Sequence, residues 1–156
     1  MTTRSRVYGG SAAHSATYRS GLEKDNANHL KKLAEPVVYE QYVIDYIRPE
    51  SQHKYTFDFI LSNNIIIETK GIFSVEDRKK HLLIQKQHPT LDLRFVFSNS
   101  RGKLFKGSPT TYAKWCERNG FQYADKLIPK EWIKESKSDR PDPFTILKPK
   151  TTGGTP

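Results

Sequence analysis

The chain has 156 residues, of which 35% are hydrophobic and 12% aromatic, so it can fold as one domain with its own core. Its 26 Lys and Arg residues against 17 Asp and Glu residues give a net charge of +9, which favours a polyanionic partner, nucleic acid before an anionic membrane. No apolar run approaches the roughly 20 residues of a membrane span and no signal peptide follows Met1, so we expect no membrane segment. Cys116 is the single cysteine, which excludes an internal disulfide and favours a reducing cytosol.

The predicted elements alternate between helices and strands. Hydrophobic periodicity and turn signals predict a helix at 20–35, strands at 37–47, 55–61 and 65–70, a helix at 74–88, a strand at 93–97 and a helix at 108–120. We expect Cys116 to be a packing residue of the last helix rather than a nucleophile. This order predicts a mixed α/β domain over residues 19–135, built on one central mixed sheet flanked by helices.

Two terminal segments differ in composition from this domain. Residues 1–18 contain Arg4 and Arg6 but no acidic residue, which predicts a flexible basic arm. Residues 136–156 hold four prolines and two glycines among alternating charges, which predicts a loose tail.

The strands at 55–61 and 65–70 are predicted to form a hairpin that carries charges. If Ser62–Asn64 is the loop, the hairpin is symmetric about Asn63, and Asp58 lies directly opposite Glu68. Two carboxylates this close repel unless a cation such as Mg²⁺ lies between them. Lys70 is on the same face as Glu68 and is placed to orient or deprotonate a water, or to offset charge on a phosphoryl group.

Metal-assisted phosphodiester hydrolysis is therefore one interpretation of these residues. The other is an exposed hairpin face with a weak Glu68–Lys70 ion pair. Glu23 also has two interpretations, because Ser20 and Glu23 match a capping box at a helix start. A carboxylate in that position can also face a metal ion, so the two roles are compatible.

The blocks RSGLE, YTFDF, ETKG, DRKKHLLI, KGSPT, ADKLIP and EWIKE occur in this order between Arg19 and Glu135. Together they resemble the bacteriophage endonuclease I family of the T-seven type. The resemblance implies a restriction-endonuclease-like core, named for the PD-(D/E)xK motif, and an enzyme that resolves four-way (Holliday) DNA junctions in the cytoplasm of an infected bacterium. One departure is Phe57, which stands where the family usually has a proline.

The resemblance also implies roles for individual residues. It places the metal-binding carboxylates at Asp58 and Glu68, with the main-chain carbonyl of Thr69 as a further ligand. It places the catalytic lysine at Lys70, and a further catalytic acid, which serves a second metal, at Glu23. The implied cofactor is Mg²⁺, with Mn²⁺ able to substitute, and no small-molecule cofactor is expected.

The family resemblance further implies a domain-swapped homodimer. Each site would then combine Glu23 of one subunit with the Asp58, Glu68 and Lys70 of the other. The stretch Tyr46–Lys54 is compatible with an extended bridge between the two lobes.

Basic clusters are the candidate DNA contacts, and we expect them to bind phosphates and read DNA shape rather than sequence. They comprise Arg78, Lys79 and Lys80, then Arg101, Lys103 and Lys106, together with Arg4 and Arg6 of the arm. Two alternatives to junction resolution remain: a nuclease of the same core that acts on duplex ends or nicks, and a basic junction-binding module without catalysis. The complete set of acids and lysine argues against the second.

Overall fold

The computed structural model describes residues 17–48, 51–138 and 140–151. The helices are α1 (Gly21–Lys32), α2 (Val75–Gln87), α3 (Tyr112–Asn119) and α4 (Lys130–Lys134), and a 3-10 turn lies at Pro143–Thr145. The strands are β1 (Tyr42–Arg48), β2 (Ser51–Thr56), β3 (Phe59–Ile60), β4 (Ile66–Lys70), β5 (Leu93–Phe97), β6 (Tyr123–Asp125) and β7 (Lys148–Pro149). Within these described ranges, no helix is long and apolar enough to cross a membrane.

The strands form two sheets rather than the single sheet predicted from the sequence. A four-stranded mixed sheet has the order β3-β4-β5-β6, with β3 antiparallel to β4 and the other pairs parallel. A three-stranded antiparallel sheet has the order β2-β1-β7. The predicted strand at 55–61 is divided between the two sheets, because the chain leaves strand geometry at Phe57 and Asp58. The prediction of a mixed α/β domain with flanking helices is confirmed.

The four-stranded sheet is buried on both faces. Ile66 of β4 packs in a cluster with Phe73, Phe95 and Trp115, whereas the alternate residue Ile67 packs in a second cluster with Leu30 and others. A strand that packs on both sides reads as a continuous apolar run, as β4 does in the sequence. A strand packed on both faces therefore carries the charged residues Glu68 and Lys70 at its end.

The helix boundaries follow their caps. Ser20 caps α1, as the sequence predicts, and Ser74 caps α2. The helix predicted from Ser108 instead starts at Tyr112 with Thr111 as its N-cap, because residues 102–111 form a hydrogen-bonded loop. It ends, as predicted, at Gly120, whose φ of 76° lies in the left-handed region. Cys116 is buried in the core, which confirms its packing role.

The strand predicted at 37–47 begins only at Tyr42. Glu40 has a φ of 47°, which interrupts extended structure. Before it, Tyr39 makes only an isolated bridge to Phe59. The stretch predicted as an extended bridge forms a hairpin in the single chain, with Arg48 opposite Ser51, while residues 49–50 lie outside the described ranges.

The described part of the predicted loose tail is packed against the domain. β7 pairs with β1 through Tyr42 opposite Pro149, and Leu147 is buried in the core. Arg140 forms ion pairs with Asp92 and Glu135. Apart from residues 17–18, the predicted basic arm lies outside the described ranges, as do Arg4 and Arg6.

Candidate active site

Asp58 and Glu68 meet as the hairpin symmetry predicts. The observed register pairs Phe59 with Ile67 and Ile60 with Ile66, and its continuation places Asp58 opposite Glu68. Both carboxylates are buried, with 6% and 5% exposure, so the alternative of an exposed hairpin face is wrong. Asp58 Oδ2 accepts hydrogen bonds from the backbone N–H and the Oγ1 hydroxyl of Thr69, both at 2.8 Å.

Lys70 ends β4 between two acids. Its Nζ lies 3.3 Å from Glu68 Oε1 and 3.1 Å from Asp77 Oδ1. Asp77 also accepts a hydrogen bond from the Ser74 N–H and so completes the capping box of α2. Asp77 was not predicted as part of this cluster, because a capping residue gives no sequence signal for a second partner.

Glu23 joins the cluster from the first turn of α1. Its N–H donates to Ser20 Oγ at 3.2 Å, which confirms the N-cap, but its carboxylate accepts from the Arg19 N–H at 3.0 Å and from the Tyr39 hydroxyl. One oxygen each of Glu23, Glu40 and Asp58 lie within 4.8 Å of one another. The single chain therefore brings Glu23 to the site, together with Glu40, which was not predicted.

Burial dominates the electrostatics of the site. Burial and the adjacent charge of Asp58 raise the pKa of Glu68 to about 8, although Lys70 opposes the shift. Burial raises the pKa of Asp58 to about 6 against the opposing hydrogen bonds from Thr69. Burial alone would lower the pKa of Lys70, but Glu68 and Asp77 outweigh it and raise that pKa. Burial thus keeps Asp58 and Glu68 protonated to a higher pH than is usual for these residues.

The residues of the site fit a hard divalent cation. The potential ligands at the centre are carboxylate oxygens, which Mg²⁺ and Mn²⁺ prefer over softer donors. Asp58 belongs both to the group with Glu23 and Glu40 and to the facing pair with Glu68. A cation here would favour the ionised carboxylates and so oppose the effect of burial on the pKa values of Asp58 and Glu68.

The first basic cluster is only partly free to contact DNA. The Lys80 ammonium lies 4.6 Å from the centre of the Tyr55 ring and 3.7 Å from Asp77, beside the site. Arg78 Nη1 donates to the Phe73 carbonyl at 2.7 Å, while Lys79 is exposed.

The second basic cluster lies on the loop that follows β5. Arg101, Lys103 and Lys106 are exposed on this loop. The Ser98 N–H donates to the Lys70 carbonyl at 3.0 Å, so the loop leaves the sheet at the edge where the site lies.

Sequence comparisons agree with this combination of fold and acidic site. The chain matches the family model described as Phage endonuclease I over residues 4–153 and belongs to that family. It is 53% identical over 133 residues to Endonuclease I of Escherichia phage T7, covering 85% of this chain and 88% of that relative. It is 51% identical over 143 residues to Endodeoxyribonuclease 1 of Enterobacteria phage T3, covering 91% and 94% of the two chains. The family resemblance seen in the motifs is confirmed.

Proposed function

We propose that the protein is a metal-dependent, structure-selective DNA endonuclease that hydrolyses phosphodiester bonds in four-way (Holliday) junctions and other branched DNA. The observation that carries this proposal is the convergence of the buried acids Asp58 and Glu68 with Lys70. The names of the relatives, an endonuclease and an endodeoxyribonuclease, support a DNA substrate. The excess of basic over acidic residues supports a polyanionic substrate.

Mg²⁺ is the proposed cofactor, with Mn²⁺ able to replace it. Asp58, Glu68 and the main-chain carbonyl of Thr69 would hold one cation, and Glu23 with Asp58 a second. When bound, such a cation polarises the scissile phosphate and lowers the pKa of a bound water. The two carboxylates beside Lys70 favour its ammonium form, so its role is to stabilise negative charge on the reacting phosphate.

The active form is proposed to be a domain-swapped homodimer. α1 and β1 precede residues 49–50 in the chain, whereas Asp58, Glu68 and Lys70 follow them. Separating β1 from β2 would deliver Glu23 of one subunit to the remaining residues of the other, with the described structure before Arg48 and after Ser51 unchanged. Two sites related by a twofold axis suit paired cuts on opposing strands of a branched duplex.

Basic side chains are proposed to contact DNA phosphates around each site and so to recognise the shape of the junction. The residues are Arg78, Lys79, Lys80, Arg101, Lys103, Lys106, Arg4 and Arg6. A phage nuclease of this kind would act in the cytoplasm of the infected host cell.

Cleavage of matched substrates tests the proposal. With Mg²⁺, the protein is expected to cut a four-way junction in preference to linear duplex, nicked duplex and single strand. Lys70→Ala should lower the cleavage rate by about 10²-fold or more and leave junction binding intact, whereas Lys114→Ala on the exposed side of α3 should change neither. Preferred cutting of ends or nicks would favour the duplex nuclease, and binding of junctions without any cutting would favour the inactive binding module.

A further inference from the structure

Each of the two glutamates proposed to hold cations accepts a hydrogen bond from a tyrosine hydroxyl. Tyr55 donates to Glu68 Oε2, and Tyr39 donates to Glu23 Oε2. We propose that Tyr55 and Tyr39 are positioning residues that fix one oxygen of each glutamate, so that the other oxygen faces the reaction centre. This role rests on the metal-dependent activity proposed above.

The hydrogen bonds of the two glutamates support different roles for the two oxygens of each carboxylate. Glu68 Oε1, the oxygen that Tyr55 leaves open, lies 3.3 Å from Lys70. On Glu23, the Arg19 N–H donates at 3.0 Å to the same Oε2 that Tyr39 bonds, so Oε2 carries both bonds. A phenol is a neutral donor, so it orients a carboxylate without cancelling the charge that a cation needs.

Both tyrosine rings are packed so that their hydroxyls stay in place. The Tyr55 ring is buried and meets the edge of His81 at 5.0 Å between ring centres, with the Lys80 ammonium over its face at 4.6 Å. The Tyr39 ring lies 4.7 Å from that of Tyr18 and 5.3 Å from that of Phe59. A hydroxyl on a ring with so little freedom is already oriented before a ligand arrives.

Both tyrosine–glutamate pairs would form within one chain whether or not the subunits swap. Tyr39 and Glu23 both precede residues 49–50 in the chain, and Tyr55 and Glu68 both follow them. Each tyrosine therefore moves with its own glutamate whether the subunits swap or remain separate.

Cation binding by tyrosine-to-phenylalanine variants of the full-length protein tests the inference. The affinity for cations is measured by titration calorimetry with Mn²⁺, and with Ca²⁺ as a probe for binding alone. Tyr55→Phe should weaken this affinity about tenfold or more, and Tyr39→Phe should weaken it as well. Tyr123→Phe is the matched control, because Tyr123 donates to Glu117 at 2.8 Å in an exposed pair outside the site. In Mn²⁺, kcat for junction cleavage should fall in the two site variants, with KM unchanged.

The outcomes separate this inference from the proposed function. If the wild type binds Mn²⁺ and both site variants bind it as tightly, the positioning role is overturned and the proposed function stands. If the wild type binds no divalent cation, both are overturned. Should Tyr55→Phe fail to fold, Tyr39→Phe, whose side chain is only half-buried, decides the question by itself.

Discussion

Asp58 and Thr69 are joined by two hydrogen bonds at the break between β2 and β3. Asp58 Oδ2 accepts from both the backbone N–H and the hydroxyl of Thr69, each at 2.8 Å. Because Thr69 stands between Glu68 and Lys70 in β4, these bonds tie an acid outside the strands to the strand that carries its two partners. The alignment of all three therefore depends partly on one threonine hydroxyl.

Replacing that hydroxyl should loosen the site without unfolding the protein. Thr69→Val keeps the shape of the side chain and the backbone N–H bond but removes one donor to a buried charge, an interaction worth about 1.5–3 kcal/mol. We expect cleavage and Mn²⁺ affinity to fall about tenfold or more. Thr69→Ser, which retains the hydroxyl, should stay close to wild type in both assays, and equal losses in the two variants would contradict the role of the hydrogen bond.

The stability of the metal-free protein should fall as the pH rises. The pKa of Glu68 is 4.5 ordinarily and about 8 in the folded chain, so the folded state holds a proton that the unfolded state releases. This contribution is fully present below pH 4.5 and is lost as the pH approaches 8. Asp58 acts in the same direction at lower pH, with a folded pKa of about 6.

Thermal melts in a chelator should therefore show Tm decreasing between about pH 6 and pH 8. Because glutamine cannot ionise, Glu68→Gln should make the decrease of Tm with pH smaller. Glu117→Gln, which changes an exposed acid, should leave the decrease of Tm unchanged. Addition of Mn²⁺ should raise the wild-type Tm most at the higher pH, where the carboxylates are free to bind it. An identical pH profile for wild type and Glu68→Gln would show that Glu68 is ionised in the metal-free fold.

Mixing two inactive variants tests the domain swap. Glu23→Ala and Asp58→Ala should each lose cleavage as homodimers. In a swapped heterodimer both defects fall in one site, so the other site is intact and nicks one strand. Co-refolded mixtures should therefore nick a supercoiled cruciform plasmid, and mixtures that stay inactive although heterodimers form would indicate sites built within single chains.

Junction binding should weaken steeply with salt if the loop after β5 contacts phosphates. Each phosphate contact contributes roughly 0.9 to the slope of log affinity against log salt concentration. The double variant Lys103→Gln with Lys106→Gln should reduce the slope by about 2 on that basis. Lys130→Gln changes an exposed lysine outside the predicted clusters and should leave the slope as it is; the same reduction there would assign the effect to net charge.

The features that local chemistry controls could be predicted from the sequence. A three-residue loop determines the register of its hairpin, so the meeting of Asp58 with Glu68 follows from counting residues. Ser20, Ser74 and Gly120 mark helix ends because each satisfies backbone groups within a few residues. These signals act over a few residues, so their effect depends little on tertiary contacts.

The features that depend on distant partners could not be predicted. Glu40 and Tyr39 were read as part of a strand, yet Glu40 takes a positive φ and both side chains join the site through contacts with α1 and Asp58. One predicted strand is divided at Phe57 and Asp58, where the Asp58 carboxylate accepts a hydrogen bond from Thr69, eleven residues away. Propensity alone favours a continuous strand there.

The pairing of β7 with β1 has a consequence for how two subunits would come apart. β7 belongs to the segment after residues 49–50, so in a swapped dimer it would pair with the β1 of its neighbour, as β2 would. In each lobe, β1 of one subunit would then pair with both β2 and β7 of the other. Separating the subunits would require both of these strand pairings to break. Partner exchange under native conditions would accordingly be as slow as global unfolding, and each dimer would keep the partner with which it first folded.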